Sequence, residues 1–289
     1  MGIVNRTPDS FFDGGAYLDE RAARARVGQL VGEGADIIDI GAESTRPGAP
    51  AVSAAEQIAR LGSLVAYAVG QGVTVSVDTT SPEVAEHALD QGATMINSVS
   101  LGPAAPLGRL AAAHGAALVL AHCRGSMSEM AGFGAYRDDA YGDVVADVAR
   151  EWGEAARLAL GAGLAPSRLV FDPGLGFTKN ARQSLELCAR LAEFRSLGHP
   201  ILVGPGRKSF VAHAVAAELG GEPPAPADRL GGTIAAAIEC AAAGADIIRV
   251  HDVGPVRQAL AYLRALSRAR ARGTDVATLA SRLPGGCGA

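Results

Sequence analysis

One unit recurs along the amino-acid sequence, and this repetition constrains the fold more than any other feature. In each unit, an alanine-rich stretch with helical spacing ends at a glycine, and a short β-branched run follows that closes on a polar residue. Glycine is expected at a helix end because it adopts the left-handed conformation without a steric penalty. The junctions are EGADIIDI (33–40), QGVTVSVD (71–78), QGATMINS (91–98), HGAALVLAH (114–122), AGLAPSRLVFD (162–172), LGHPILVG (197–204) and AGADIIRVHD (243–252).

The β-branched runs are too continuously apolar for strands with one face in water, and they are typical of parallel strands covered on both faces. With the opening run at 1–4 they give eight strands that alternate with helices. This pattern favours an α/β fold of one domain, the (β/α)8 TIM barrel, over an open doubly wound sheet. The barrel is predicted to span residues 1–270, followed by a C-terminal tail at 271–289. Helices are predicted near 18–33, 53–70, 82–91, 105–113, 141–161, 181–195, 208–219, 227–242 and 254–270.

Composition excludes several classes of protein. The formal net charge is −4 and no run of Lys or Arg occurs, which argues against a nucleic-acid surface. No apolar run reaches the roughly 18 residues of a membrane helix. The four cysteines show no pairing that would indicate a metal site or a disulfide framework. Asn5 and Arg6 interrupt the first apolar run, so no signal peptide is expected. We therefore expect a cytoplasmic location.

Nearly every predicted strand ends in a residue that can bind a ligand. In a barrel, all eight carboxyl-terminal strand ends open onto one face, where the active site lies. Any one of these residues alone would more often cap a helix. Their common position in the repeat indicates a shared pocket. They are Asn5, Asp39, Asp78, Asn97, His122, Asp172, the pair Arg207 and Lys208, and the pair Arg249 and His251.

One subset combines acceptors with a single cation. Several buried carboxylates repel one another, so a ligand with several N–H donors in one plane would satisfy them. An aminopyrimidinone ring has such an edge, and a lysine could donate to its carbonyl or a ring nitrogen. A structural Asp–Lys pair at the rim is the alternative. The subset is Asp39, Asp78, Asn97, Asp172 and Lys208.

A second subset could bind an anion. Arg249 and His251 alternate along one strand end and therefore point to the same face, and Arg46 lies in the short polar loop ESTRPG (43–48). The planar fork of arginine suits phosphate oxygens. Asn5 with Asp9 and Asp13 could place Mg²⁺ beside that anion, although the segment NRTPDSFFDGG (5–15) is also an ordinary turn. His122 fits a core histidine equally well.

Several long motifs, in order along the chain, closely resemble the dihydropteroate synthase family. The resemblance extends from residue 1 to about residue 265. The motifs are MGIVNRTPDSFFDGG (1–15), DIGAESTRPG (39–48), SVDTTSPEVAEHAL (76–89), IN (96–97), DPGLGFTKN (172–180), GRKS (206–209) and RVHDV (249–253).

The resemblance implies a function and roles for individual residues. The family condenses 6-hydroxymethyl-7,8-dihydropterin pyrophosphate with p-aminobenzoate, uses Mg²⁺, is the target of sulfonamides and is usually a homodimer. The pterin positions match Asp78, Asn97, Asp172 and Lys208, with Asp39 and Cys123 beside them. The pyrophosphate positions match Asn5, Arg46, Arg249 and His251, and the p-aminobenzoate walls match Thr45, Pro47, Phe177 and Ser209.

Two other functions stay open at this point. A methyltetrahydrofolate methyltransferase-like barrel would keep the aminopyrimidinone site without needing the cationic cluster, and a paralogue could bind pterin without condensing it. For the synthase, the sequence predicts an SN1-like path in which Lys208, Arg46, Arg249 and His251 act on the reactants and no strong base is needed. We also expect Arg249→Ala to lower turnover with little loss of stability, because the residue should face the site and not the core.

Overall fold

Eight short parallel strands form the centre of the molecule. The structure, a computed structural model, describes residues 1–7, 19–44, 51–125 and 136–272. Each strand except the first begins in one of the glycine-containing junctions, after its glycine. The strands are β1 (Gly2–Asn5), β2 (Ile37–Gly41), β3 (Thr74–Asp78), β4 (Met95–Ser98), β5 (Ala117–Ala121), β6 (Leu169–Asp172), β7 (Leu202–Val203) and β8 (Ile247–Ile248).

The strands close into a ring. β1 to β6 pair in sequence order as one parallel sheet, and β7 pairs with β8. Two isolated parallel bridges, Phe171 with Ile201 and Gly2 with Val250, join these two sheets at both edges. Every strand therefore has a neighbour on each side, which a closed barrel provides and an open sheet does not. The predicted (β/α)8 barrel is confirmed.

Among the described residues, ten α-helices surround the ring, and most begin close to the predicted residues. Polar side chains cap several of them: Asp19, Ser53 and Ser81 each accept a hydrogen bond from the first turn of the following helix. The helices are α1 (Glu20–Gly32), α2 (Ala54–Leu61), α3 (Leu64–Gly70), α4 (Pro82–Asp90), α5 (Ala104–His114), α6 (Val144–Gly161), α7 (Ala181–Ala189), α8 (Ser209–Leu219), α9 (Leu230–Ala242) and α10 (Val253–Arg272).

Two predicted helices differ from the structure. The stretch predicted as one helix at 53–70 is divided at Gly62, which has φ 51° and ends α2. A residue with positive φ cannot continue a right-handed helix, so α3 starts anew. The helix predicted at 181–195 ends at Ala189, and a 3-10 segment over Leu191–Leu197 leads to β7.

The core has two layers, one inside the ring and one between the ring and the helices. Met1, Met95, Val119, Val170 and Leu202 fill the interior of the barrel. The outer layer is built mainly from Ala, Val, Leu and Ile, which fits the low aromatic content. Interior filling of this kind makes the barrel a packed body, so a ligand can bind only at its ends.

Two predicted non-helical segments lie in the last third of the chain, a loop at 220–227 and a tail from 271. The loop predicted at 220–227 separates α8 from α9, and α10 continues through residue 272. Most of the predicted tail, from 273 to 289, lies outside the described residues. Within the described ranges, no helix is long and apolar enough to cross a membrane.

Candidate functional site

The carboxyl-terminal ends of the first four strands place three polar side chains in one layer. In the parallel register, Asn5 pairs with Gly41, Gly41 with Asp78, and Asp78 with Asn97. Paired residues of parallel strands point to the same face, so these side chains share one level at the rim. Gly41 leaves this level open, because a Cβ there would lie 3.4 Å from the Cβ of Asp78 and 3.8 Å from Oδ1 of Asn5.

Arg249 follows β8, which lies next to β1 in the closed ring, and it joins this layer. Its Nε donates to Oδ2 of Asp39 at 2.6 Å, and its Nη2 donates to Oδ2 of Asp78 at 2.6 Å. Asn97 donates from Nδ2 to the same Asp39 oxygen at 3.1 Å. We call Asp39, Asp78, Asn97 and Arg249 the acid cluster. It unites residues that sequence analysis had divided between a heterocycle site and an anion site.

The acid cluster contains more acceptors than its own donors satisfy. Asp39 is fully buried, and its Oδ1 has no hydrogen-bond partner among the described residues. The same holds for the buried hydroxyl of Ser76, two residues before Asp78 on β3. Buried polar atoms without a partner cost about 1–3 kcal/mol each. The cluster is thus built to accept N–H donors from outside the chain.

Burial and charge shift the ionisation of this cluster. Burial raises the pKa of Asp78 to about 7, and the nearby Asp39 adds to this while Arg249 opposes it. For Arg249, burial opposes its charge, but the attraction of Asp39 and Asp78 outweighs it and raises the pKa. The guanidinium therefore stays charged, whereas Asp78 can gain or lose a proton near neutral pH.

The position of Arg249 changes one expectation from the sequence. Its side chain is only 15% exposed and holds two carboxylates that are 0% and 7% exposed. Removing one partner of a buried ion pair leaves an uncompensated charge, which costs about 3–5 kcal/mol. The expectation that Arg249→Ala would leave stability nearly unchanged is therefore replaced by a substantial loss.

Lys208 and Asp172 lie on the adjoining part of the rim. Nζ of Lys208 donates to the carbonyl of Leu175 at 2.5 Å and lies 4.0 Å from the centroid of the Phe177 ring. Oδ1 of Asp172 accepts from the amide of Gly174 at 2.7 Å. Burial lowers the pKa of Lys208 to about 8, and Asp172 partly offsets this. Burial likewise raises the pKa of Asp172, against the attraction of Lys208.

An apolar wall stands beside Lys208. Val99, Cys123 and Phe177 pack together as one buried cluster, with Tyr136 against it. Burial raises the pKa of the Cys123 thiol, so this side chain is a neutral wall residue. Ser209 is the first residue of α8, directly after Lys208. The remaining predicted aryl-binding residues, Thr45 and Pro47, lie outside the described residues.

The predicted anion and metal site is described only in part. His251 is 8% exposed, and burial together with Arg249 lowers its pKa to about 3, so the imidazole is neutral at pH 7. Asn5 lies at the end of β1 and is partly buried. Arg46, Asp9 and Asp13 lie outside the described residues. Within the described ranges, no group of three His, Cys, Asp or Glu side chains could hold a metal ion.

Two other strand-end residues have structural partners. The buried His122 contacts Glu151 through Nε2 at 2.9 Å, which agrees with the interpretation as a core histidine. Arg207 forms an ion pair with Asp252 at 2.7 Å and donates to the carbonyl of Pro226. Their strand-end position therefore serves to hold neighbouring loops.

Two residues at or beneath this rim, Ser76 and Lys179, were not predicted from the sequence. Ser76 lies two positions before Asp78, so the strand alternation places it on the same inward face. Lys179 is 1% exposed and directly follows the segment DPGLGFT. Its burial has no local signal in the sequence, because a lysine is usually exposed.

Comparisons with known proteins agree with this geometry. A family model described as pterin binding enzyme matches residues 1–251. The dihydropteroate synthase of Synechocystis sp. is 39% identical over 270 residues, which cover 93% of this chain and 90% of the relative. The crystal structure of Yersinia pestis dihydropteroate synthase with a sulfonamide drug complex superimposes with a TM-score of 0.83 at 35% identity, covering 93% of each chain. The Xanthomonas albilineans dihydropteroate synthase with 4-aminobenzoic acid gives a TM-score of 0.81 at 38% identity, covering 92% of each chain.

Proposed function

We infer that this chain, which belongs to the dihydropteroate synthase family of pterin-binding enzymes, carries out that family's transferase reaction. It joins 6-hydroxymethyl-7,8-dihydropterin pyrophosphate to p-aminobenzoate, forming 7,8-dihydropteroate and pyrophosphate in folate biosynthesis. The observation that carries this conclusion is the acid cluster, in which buried acceptors without partners lie within reach of a fixed guanidinium. Such a site suits a ligand with N–H donors at one end and an anionic group nearby.

We assign the pterin ring to Asp78, Asn97, Asp172 and Lys208, with Asp39 and Cys123 beside them. The support is that two carboxylates, Asp78 and Asp172, stand at the carboxyl-terminal ends of β3 and β6, with β4 and β5 between them. A carboxylate accepts two parallel N–H bonds from a ring edge of the aminopyrimidinone type.

We assign the pyrophosphate to Asn5, Arg46, Arg249 and His251. In the free protein the charge of Arg249 is balanced by Asp39 and Asp78. A pterin that donates N–H bonds to these acids would compete for them and leave more of the positive charge for the pyrophosphate. A neutral His251 can donate one N–H to a phosphate oxygen.

We assign p-aminobenzoate to the apolar wall, with Phe177 and Ser209 among the described residues and Thr45 and Pro47 on the loop outside them. Phe177 lies 4.0 Å from Nζ of Lys208, so the aryl and pterin subsites adjoin. Adjoining subsites place the arylamine near the pterin methylene carbon, and this proximity can supply much of the rate enhancement.

The reaction then needs no activated nucleophile. The bond between the pterin methylene carbon and the pyrophosphate oxygen breaks in an SN1-like step, and the electron-rich ring stabilises the developing cation. Arg249 and His251 hold the negative charge that grows on the leaving group. The arylamine is a free base at pH 7, so it attacks the methylene carbon directly and then loses a proton to water.

We further propose Mg²⁺ as the cofactor, held by the pyrophosphate oxygens, water and the amide oxygen of Asn5, with Asp9 and Asp13 close by in sequence. The support is that Mg²⁺ prefers few protein oxygens together with phosphate and water, which one amide oxygen at the rim satisfies. When bound, it would neutralise charge on the departing pyrophosphate.

Pyrophosphate release tests the proposed function. We expect release only when both the pterin pyrophosphate and p-aminobenzoate are present, with Mg²⁺ in the buffer. Binding of pterin without release would instead favour a paralogue that does not condense its ligands. Methyl transfer from methyltetrahydrofolate, without pyrophosphate chemistry, would favour the methyltransferase interpretation.

We also propose that the protein is a cytoplasmic homodimer. Its described cysteines, Cys123, Cys188 and Cys240, are free thiols, which is typical of a reducing compartment. Leu219 at the end of α8 is 82% exposed and Tyr262 on α10 is 71% exposed, and apolar exposure on late helices suits a subunit contact. Sedimentation equilibrium would show twice the chain mass.

A further inference from the structure

Lys179 lies beneath the rim and takes no part in the reaction as described above. It is 1% exposed, and its Nζ donates to the carbonyls of His122 at 3.1 Å, Gly174 at 3.1 Å and Phe177 at 3.0 Å. Nζ also lies 3.0 Å from Nδ1 of His122. One ammonium thus ties the end of β5 to two points on the loop that follows β6.

A chain of side chains supports this ammonium from behind. Nε2 of His122 contacts Oε2 of Glu151 at 2.9 Å, and Arg124 donates to both oxygens of Glu151, at 2.9 Å from Nε and 2.5 Å from Nη2. With its proton on Nε2 toward the carboxylate, His122 presents a lone pair on Nδ1 to Lys179. We call Lys179, His122, Glu151 and Arg124 the lysine relay.

The loop that the ammonium holds has an unusual backbone. Gly174, Gly176 and Thr178 have φ values of 67°, 76° and 50°. A side chain at Gly174 is impossible here, because a Cβ would lie 2.0 Å from the carbonyl oxygen of His122. Thr178 is not a glycine, so its left-handed conformation costs of order 1 kcal/mol and must be held by surrounding contacts. Lys179 is adjacent and provides such contacts.

The same loop carries two features of the active rim. Lys179 holds the carbonyls of Gly174 and Phe177, and between them the carbonyl of Leu175 accepts from Lys208. The Phe177 ring stands in the apolar wall with Val99. The two lysines of the chain therefore bind different carbonyls of one loop, Lys179 from beneath and Lys208 from the rim.

Burying the ammonium of Lys179 costs free energy, which indicates that this charge has a role in the structure. Burial lowers the pKa of Lys179 to about 7, although the nearby Asp172 favours its charged form. A methionine of similar length would fill the space without this cost. Only a group with several N–H donors can hold three carbonyls of neighbouring segments at once.

We propose that Lys179 is a positioning residue for the aryl substrate: by holding the carbonyls of His122, Gly174 and Phe177, it fixes the loop that presents the Phe177 ring and the Leu175 anchor of Lys208. Lys179 touches neither reactant. Its removal should therefore weaken binding of p-aminobenzoate more than it slows the chemical step. This proposal rests on the proposed condensation reaction, and turnover by the unchanged protein in the same assay tests that premise separately.

The test compares Lys179→Met with the unchanged protein. We expect KM for p-aminobenzoate to rise about tenfold, with kcat and KM for the pterin pyrophosphate each changing less than about threefold, since loss of loop geometry by a fraction of an ångström carries penalties of this order. Lys179→Gln keeps two N–H donors, so it should recover part of the loss in KM. Val27→Ala, a buried change in α1 across the barrel, is the control for lost stability and should leave KM unchanged.

A second measurement keeps the proposal testable if Lys179→Met fails to fold. Because the chain has two lysines, selective ¹⁵N labelling of lysine gives at most two side-chain signals. Below the pKa of about 7, the ammonium of Lys179 should give an N–H signal protected from exchange with water. An unprotected signal, an unchanged KM in a folded Lys179→Met protein, or equal losses in every kinetic constant would each overturn the proposal. No turnover by the unchanged protein would instead refute the proposed reaction.

Discussion

The acid cluster and the lysine relay are both buried charged groups at one end of the same barrel, yet they are satisfied to different degrees. In the acid cluster, the described residues leave Oδ1 of Asp39 without a partner, and Ser76 beside it is in the same state. In the lysine relay, the ammonium of Lys179 has three carbonyl partners, and Arg124 binds both oxygens of Glu151.

This difference indicates that the acid cluster binds a ligand, whereas the lysine relay supports the segments around it. Acceptors that the chain does not satisfy must take their donors from water or a ligand, so their arrangement is a template for something outside the chain. A set whose members satisfy one another can only fix the segments that carry them. The two groups should therefore respond differently to mutation: changes in the acid cluster should lower turnover strongly, whereas changes in the lysine relay should affect mainly stability or binding geometry.

The largest effect is expected for Arg249→Ala. Turnover should fall about 1000-fold because the leaving group loses its principal cation. The free energy of unfolding should fall by about 3 kcal/mol, because Asp39 and Asp78 keep their burial without a counter-charge. Pyrophosphate release and urea unfolding measure the two. Arg257→Ala, at an exposed position on α10, should change neither quantity. Unchanged turnover would remove Arg249 from the reaction.

Asp78→Asn should separate turnover from stability. We expect kcat/KM to fall about 100-fold, since an amide cannot accept two N–H bonds as a carboxylate does. At pH 8 the variant should be more stable than the unchanged protein by at least about 1 kcal/mol, because no buried carboxylate must be ionised.

The raised pKa of Asp78 determines the direction in which stability should change with pH. Burial raises the pKa of Asp78 from 3.8 to about 7, so the folded protein binds more protons than the unfolded chain between these values. Stability should therefore fall as the pH rises across that range, and Asp78→Asn should remove this slope. Asp90→Asn, an exposed change at the end of α4, should retain it. Equal slopes in both variants would contradict the assignment.

A smaller effect is expected for Phe177→Ala in the apolar wall. KM for p-aminobenzoate should rise about tenfold, because apolar contact in a pocket contributes on the order of 1–3 kcal/mol. The inhibition constant of sulfamethoxazole, which we expect to compete with p-aminobenzoate, should rise in parallel. Tyr262→Ala removes an exposed aromatic side chain and should alter neither constant. Competition by the drug with the pterin substrate instead would place the aryl subsite elsewhere.

The smallest effect on turnover is expected for Glu151→Gln in the lysine relay. Turnover should stay within about threefold, whereas the free energy of unfolding should fall by about 1–3 kcal/mol because Arg124 and His122 lose a charged acceptor. Glu154→Gln on the same helix is the matched control, since Glu154 is 62% exposed and should change stability little. A large loss of turnover with unchanged stability in Glu151→Gln would contradict the distinction between the acid cluster and the lysine relay.

Much of the fold followed from the sequence because each strand and helix has a local signal. The glycine junctions located the strands, and their position at the strand ends placed Asp39 and Asp78 in a shared pocket. The division of the helix at Gly62 was missed, since an isolated glycine is compatible with a continuing helix until its φ is known. Lys179 was missed because no local pattern distinguishes a buried lysine from one at the surface.

The sequence by itself determined the barrel and the set of polar residues at its rim, because repeat spacing and strand register are local properties that order the chain in one way. Only the tertiary structure decided which of those residues meet. Arg249 and Asp39 are 210 positions apart, and their 2.6 Å contact depends on closure of the ring between β8 and β1. Because the ring closes, acids and cations that the sequence assigned to separate sites lie in one cluster. Coulomb attraction pairs these opposite charges, since they are buried and share one rim.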